Sequence, residues 1–280
     1  MWNSKDVYYI SDSTGILVTN LGQALICQFP EVNFYEEKFP FIRTVAEAKK
    51  IMKYIMERSG GRRPIIFSTI LDREIRDVFD SPEVEYFEAY GTFLDELETC
   101  LETRAVGGPG FARQASDVTM NKRVEAIHYC LAHDDGTKTS EYDEADVILL
   151  GVSRVGKTPV SVFLATQMGL KSANFPLTAE YLSSFRLPQL IRDNLGRVVA
   201  LTTSPEYLRS AREKRYPGSN YAKLSTCVEE LKQAEQIFLK SHIPTVSSAG
   251  KSIEETATQV MQELGISKKA IFFSRRHPGL

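Results

Sequence analysis

Residues 151–158 of this chain read Gly-Val-Ser-Arg-Val-Gly-Lys-Thr, and that string narrows the possible folds more than any other part of the sequence. Gly151 and Gly156 free the backbone to curl its amides around an anion. Lys157 would reach terminal phosphates, and the Thr158 hydroxyl would ligate Mg²⁺. Such a loop works only between a buried strand and a helix. Val147-Ile148-Leu149-Leu150 supplies a continuous apolar strand before it, as expected in a parallel sheet. Pro159 to Met168 supplies an apolar helix after it, with proline in the first turn, where a missing N–H costs little. The segment therefore reads as a P-loop whose nucleotide-binding residues are Gly151, Val152, Ser153, Arg154, Val155, Gly156, Lys157 and Thr158. A glycine-bearing turn with a chance lysine is the plainer reading, and the flanking strand and helix argue against it.

Short β-type runs alternate with longer helical patterns along the rest of the chain. Val7-Tyr8-Tyr9-Ile10, Val32-Asn33-Phe34-Tyr35, Pro64-Ile65-Ile66-Phe67 and Val84-Glu85-Tyr86-Phe87 read as strands. Helices are expected after the first strand through about Phe29, from Val45 to Glu57, and from Phe93 to Leu101. The succession predicts an α/β fold, an open sheet with crossover helices. Val106-Gly-Gly-Pro-Gly110 reads as a loop, Asp117 to Ala132 as a helix, and Thr137 to Glu144 as a polar connection. Beyond the P-loop, Arg197-Val-Val-Ala-Leu201 reads as a strand, and Tyr221, Leu224, Val228, Leu231, Ala234 and Phe238 mark a long amphipathic helix. Ser252-Ile253-Glu254-Glu255 looks like a capping start to a last helix ending near Gly265, before a basic tail at Ser274 to His277. On this reading an N-terminal open α/β half covers 1–145, and a P-loop kinase-like α/β domain covers 146–280.

Charge and composition exclude several classes. Lys and Arg number 34 against 36 Asp and Glu, a formal net charge of −2, so no global field draws the chain to nucleic acid. No apolar run approaches the roughly 18 residues that span a bilayer, and the N-terminus lacks a basic region followed by an apolar stretch. The expectation is a cytoplasmic protein with no membrane partner. Cys27, Cys100, Cys130 and Cys227 are far apart, and His128, His133, His242 and His277 show no ligand spacing. The cysteines are expected as buried small hydrophobes, with no disulfide framework and no structural metal.

Three further segments are candidates. His133-Asp134-Asp135-Gly136 ends a helix just upstream of the P-loop strand. Its carboxylates could hold a metal or accept the proton of an attacking hydroxyl, or could belong to a solvated turn. Ser11-Asp12-Ser13-Thr14-Gly15 lies at a strand-to-helix turn, suited to a second phosphate or to a simple N-cap. Arg209, Arg212 and Arg215 recur every third residue. On a helix they make one basic stripe, for phosphates or an acidic partner surface, or a solvated face. The P-loop's companions narrow its class. Asn121-Lys122-Arg123-Val124 lacks the aspartate of a GTPase base-reading motif, and Arg197 to Leu201 runs into Thr202-Thr203 where a motor ATPase would place an acid. The Mg²⁺-holding acid must come from elsewhere, which favours kinase-like chemistry.

Several blocks occur in an order that resembles one family. They are Tyr9-Ile10-Ser11-Asp12-Ser13-Thr14-Gly15, Ile127 through His133-Asp134-Asp135-Gly136, Gly151 through Pro159, and Ala173-Asn174-Phe175-Pro176-Leu177. Pro205-Glu206-Tyr207-Leu208 with Arg212, and Ser252 through Ala257, complete the set. The chain resembles the bacterial bifunctional regulatory proteins of phosphoenolpyruvate synthase and of pyruvate,phosphate dikinase over nearly its whole length. Tyr90-Gly91-Thr92-Phe93-Leu94 is closer to the synthase branch, and Val155 stands where the family pattern suggests a small or hydroxyl residue. The resemblance implies a kinase that takes ADP as donor and phosphorylates a threonine of the target enzyme. It also implies removal of that phosphate by phosphorolysis with inorganic phosphate, releasing pyrophosphate. Phosphoenolpyruvate synthase, or pyruvate,phosphate dikinase, would be the protein partner. Lys157, Asp135 and Asp134 are then the catalytic candidates, with Mg²⁺ at Thr158. Two other readings stay open at this stage: an ATP-dependent P-loop metabolite kinase, and a non-enzymatic nucleotide-sensing regulator. A homo-oligomer is left open as well.

Overall fold

The computed structural model describes residues 4–105 and 117–266, so the loop read at 106–110 and the basic tail read at 274–277 lie outside it. The chain divides into two compact units, Met1–Ala115 and Ser116–Leu280. The fold is α/β, with one four-stranded parallel sheet in each unit.

In the first unit the elements run β1 (Ser4–Ile10), α1 (Ile16–Ile26), β2 (Asn33–Phe39), α2 (Val45–Ser59), β3 (Ile65–Ser68), α3 (Arg73–Arg76), β4 (Glu85–Glu88) and α4 (Gly91–Leu101). The sheet order is β2-β1-β3-β4. A right-handed crossover to β2 puts α1 on one face, and the return to β3 puts α2 on the other. The core shows this division. Val7, Tyr9 and Phe67 pack with Val18 and Ile26 of α1, whereas Tyr8, Ile10 and Ile66 pack with Ala48 and Ile55 of α2. Successive β1 residues thus feed opposite faces, as a strand requires. Thr44 and Glu47 start α2 with a reciprocal capping box, which satisfies two orphan amides.

The second unit begins with α5 (Asp117–Ala132), which packs against α6 and β6, although the sequence reading placed it with the first half. Next come β5 (Val147–Gly151), α6 (Lys157–Phe163), β6 (Ser172–Pro176), α7 (Ala179–Ser184), α8 (Gln189–Arg192), β7 (Val198–Thr202), α9 (Pro205–Glu213), α10 (Leu224–Lys240), β8 (Thr245–Ser247) and α11 (Ile253–Glu263). The order β6-β5-β7-β8 repeats that of the first sheet. All five residues of β5 are buried, because helices cover both faces: α11 packs beside α6, and α9 and α7 pack beside α10. The crossovers diverge on either side of β5, which opens a crevice at the carboxyl ends of β5 and β7.

Helix α6 gives way to a π turn over Leu164–Met168 rather than running on as α-helix. The expected capping start at Ser252 is present as a full capping box with Glu255. Cys130 and Cys227 are buried, but Cys27 and Cys100 are exposed, so only half of the cysteines are the core hydrophobes expected. Among the described residues no helix is long and apolar enough to cross a membrane.

Gly22 sets how closely α1 approaches its sheet. A Cβ there would lie 2.3 Å from the Tyr9 ring and 2.9 Å from that of Phe67, so any larger residue pushes the helix away. We expect Gly22→Val to destabilise the protein by about 1–3 kcal/mol, read as a lower urea midpoint. An unchanged midpoint would contradict this contact.

Candidate active site

Gly151 ends β5 where a side chain could not fit, since an added Cβ would stand 2.5 Å from the Leu201 carbonyl of β7. The chain then turns through Val152, Ser153, Arg154, Val155 and Gly156 into α6. Arg154 and Gly156 have φ of 79° and 97°. For glycine that is permitted, whereas for Arg154 it is strain of about 1 kcal/mol or more.

Donors from outside the loop hold this shape. Arg212 Nη2 donates to the Ser153 carbonyl at 3.2 Å, and Ser248 Oγ donates to the Val155 carbonyl at 2.9 Å. In a trans peptide the next N–H points opposite to the carbonyl, so these two contacts turn the Arg154 and Gly156 amides the other way. Alternating left-handed residues with oriented amides form an anion nest.

Lys157, the first residue of α6, is 5% exposed, and its Nζ donates to the Val152 carbonyl at 3.0 Å. Burial pulls its ammonium down to about 8, while Asp135 and then Asp134 pull the other way. The carboxylates sit on a short 3-10 turn, Asp134–Gly136, that follows α5. Thr158 Oγ1 donates to Asp134 Oδ1 at 2.9 Å. Asn174 of β6 also donates to that oxygen, and its own Oδ1 accepts from the Asp135 amide at 2.9 Å. Asp135 is exposed with φ of 52°, and among the described residues nothing donates to its carboxylate.

The turn is anchored from behind. His133 is 2% exposed and stacks on Tyr129 with ring centroids 3.7 Å apart. Its Nδ1 lies 2.7 Å from the Tyr129 carbonyl, and its Nε2 lies 3.0 Å from Glu141 Oε2.

The structure brings the loop at 151–158, Asp134 and Asp135 together in the second unit, and it separates the three arginines read as one stripe. Arg209 and Arg215 are exposed, whereas Arg212 is fully buried, pairs with Glu230 at 2.6 Å and lies over the Tyr221 ring. Helix α9 turns that position towards α10, so Arg212 braces the loop and does not present a charged surface.

Ser11, Asp12, Ser13 and Thr14 belong to the first unit. Ser11 Oγ accepts from the Ser13 amide at 3.1 Å and from Thr69 at 3.0 Å, and Asp12 Oδ2 accepts from the Leu71 amide at 3.3 Å. No side chain caps α1, which starts from Gly15. Burial holds the Asp12 carboxyl above its usual range. The segment ties the β1 loop to the β3 loop. Asn174 and Ser248, which complete the second unit's site, were not singled out as site residues from sequence.

A family model described as kinase/pyrophosphorylase matches residues 7–261. A candidate phosphoenolpyruvate synthase regulatory protein of Desulfotalea psychrophila is 47% identical over 97% of this chain and 100% of its own. Counterparts with the same name are 38% identical in Bordetella pertussis, over 94% of this chain and 97% of theirs, and 37% in Hahella chejuensis, over 94% and 98%.

Burying a lysine has a stability cost. The folded ammonium titrates below the unfolded one, so between about 8 and the ordinary lysine value of 10.5 the unfolded chain holds more protons. Stability contributed by this group therefore rises with pH across that window. We expect Lys157→Met to melt higher than wild type at pH 7, by roughly 2–4 °C for each kcal/mol recovered. We also expect the variant to lose the lysine's part of the stability gain between pH 8 and 10. A variant that melts lower at pH 7 would contradict the burial cost.

Proposed function

Since this chain belongs to the kinase/pyrophosphorylase family, we propose that it phosphorylates a threonine of phosphoenolpyruvate synthase with ADP as donor. We further propose that it removes the phosphate with inorganic phosphate, releasing pyrophosphate. The regulatory names of its relatives support the synthase as target over pyruvate,phosphate dikinase. The observation that carries the chemistry is the acid pair seated against the start of α6, with Asp134 bonded to Thr158 at 2.9 Å.

The two reactions are one transfer run between different partners. Going forward, the threonine oxygen attacks the β-phosphorus of ADP, and the bond to the bridging oxygen breaks to release AMP. In reverse, an oxygen of inorganic phosphate attacks the threonine phosphate, the bond to the threonine oxygen breaks, and pyrophosphate leaves. Inorganic phosphate therefore takes the place that the AMP phosphate holds in the forward step. One nest and one lysine serve both directions.

Loop amides and Lys157 would stabilise charge on the group in flight. Asp135, exposed and beside Lys157, is the base that takes the threonine proton going forward and returns it in reverse. Asp134 and Thr158 offer hard oxygen donors that fit Mg²⁺, which characteristically binds through one or two carboxylates together with substrate phosphates. When bound, that ion would neutralise phosphate charge.

The test incubates the protein with phosphoenolpyruvate synthase and ADP, or ATP, and maps phosphothreonine by mass spectrometry. Phosphorylation and loss of synthase activity with ADP, reversed by inorganic phosphate, are expected. Modification with ATP alone, or none on the synthase, would refute the proposal. Asp135→Asn should slow both directions by about 10²–10⁴-fold while ADP still binds; full activity would remove Asp135 as the base.

A further inference from the structure

We infer that Asn174 is a positioning residue that sorts the two adjacent carboxylates into separate roles. The inference rests on the phosphoryl-transfer reading above, but the contacts stand independently of it. Asn174 is 1% exposed at the centre of β6, opposite Leu149 of β5. Its side chain makes three contacts. Oδ1 accepts from the Asp135 amide at 2.9 Å, and Nδ2 donates both to Asp134 Oδ1 and, at 3.3 Å, to Thr158 Oγ1.

Chemistry fixes the orientation of that amide. A backbone N–H can only donate, so the oxygen must face Asp135; an ionised carboxylate can only accept, so the NH₂ must face Asp134. The main chain grips the same turn, because Asn174 N donates to the His133 carbonyl at 3.1 Å. Tyr142 in turn donates to the Asn174 carbonyl at 2.9 Å. The strand therefore holds residues 133–135 through backbone and side chain together.

Opposite consequences follow for neighbouring acids. Asp134 is held by one oxygen towards Thr158, where a metal-bearing phosphate would lie. Asp135 is bound only through its amide, in a left-handed conformation of φ 52°, which leaves its carboxylate exposed to meet a protein hydroxyl. Without Asn174 the Asp135 amide loses its acceptor, Asp134 Oδ1 keeps only the bond from Thr158, and Thr158 loses its second neighbour. Asn174 acts through these groups and takes no part in bond making.

The experiment compares full-length wild type with Asn174→Asp and Asn174→Ala. The first keeps the size and the acceptor for Asp135 while removing the donor to Asp134 and Thr158; the second removes all three contacts. Thermal melts check folding, calorimetry measures ADP affinity with and without Mg²⁺, and steady-state assays separate kcat from KM in both directions. We expect ADP affinity without Mg²⁺ to stay within about 3-fold, while the Mg²⁺-dependent gain in affinity and kcat each fall about 10- to 100-fold. A wild-type Mg²⁺ gain in both variants would overturn the inference. So would a parallel loss of metal-free ADP affinity, or collapse of both melts, since either would mark a merely structural residue. If wild type binds Mg²⁺ and ADP but phosphorylates no protein, the functional reading fails and the calorimetry still decides Asn174.

Discussion

A hydroxyl and a carboxylate meet at 2.9 Å where Thr158 faces Asp134, across 24 residues of sequence. That hydrogen bond joins the turn after α5 to the first turn of α6, and the chemistry proposed for the second unit depends on it. A P-loop by itself binds phosphate but has no acid to hold a metal or take a proton. In this chain β7 ends at Thr202, and the carboxylates beside the loop lie upstream, held by Asn174 of β6. The π turn after α6 and the left-handed residues at Asp135 and Arg154 are the backbone adjustments that accompany this arrangement.

Burial and charge oppose each other at Lys157. Within the second unit's apolar core, a nearly buried ammonium bonds to the loop's own Val152 carbonyl. The two aspartates keep it charged against the pull of burial. Arg212 carries a similar load, since it is fully buried and its Nε has no hydrogen-bond partner among the described residues. Its remaining donors reach Ser153, Tyr221 and Glu230. Two cations in a desolvated setting are unfavourable for folding, and Arg212 offsets part of that cost through its pair with Glu230.

The sequence was legible where a pattern forces a single outcome. A run of four aliphatic residues ahead of a glycine reads as a buried strand, and β5 is that strand. Capping at Ser252 follows from side-chain chemistry within three residues. Other features depend on partners distant in the chain. β6 was missed because Ser172-Ala173-Asn174-Phe175-Pro176 is polar at its start and centre and ends in proline, and three-residue β8 is too short to show a period. Spacing put Arg212 on a stripe with Arg209 and Arg215, but only the packing of α9 on α10 shows that it points inward. The Asp134–Asp135 pair was visible as residues; its contact with Asn174, 40 residues away from Asp134, was not.

One tracer experiment bears most directly on the central claim that a single nest transfers a phosphoryl group between threonine and two alternative phosphate partners. ADP labelled at its β-phosphorus is incubated with the protein and phosphoenolpyruvate synthase, and the labelled synthase is isolated and given unlabelled inorganic phosphate. The account predicts that the label passes to a threonine as AMP is released, then appears in pyrophosphate. Label recovered as free inorganic phosphate would mean hydrolysis by water, and label that never leaves ADP would mean a different donor; either result would contradict the account.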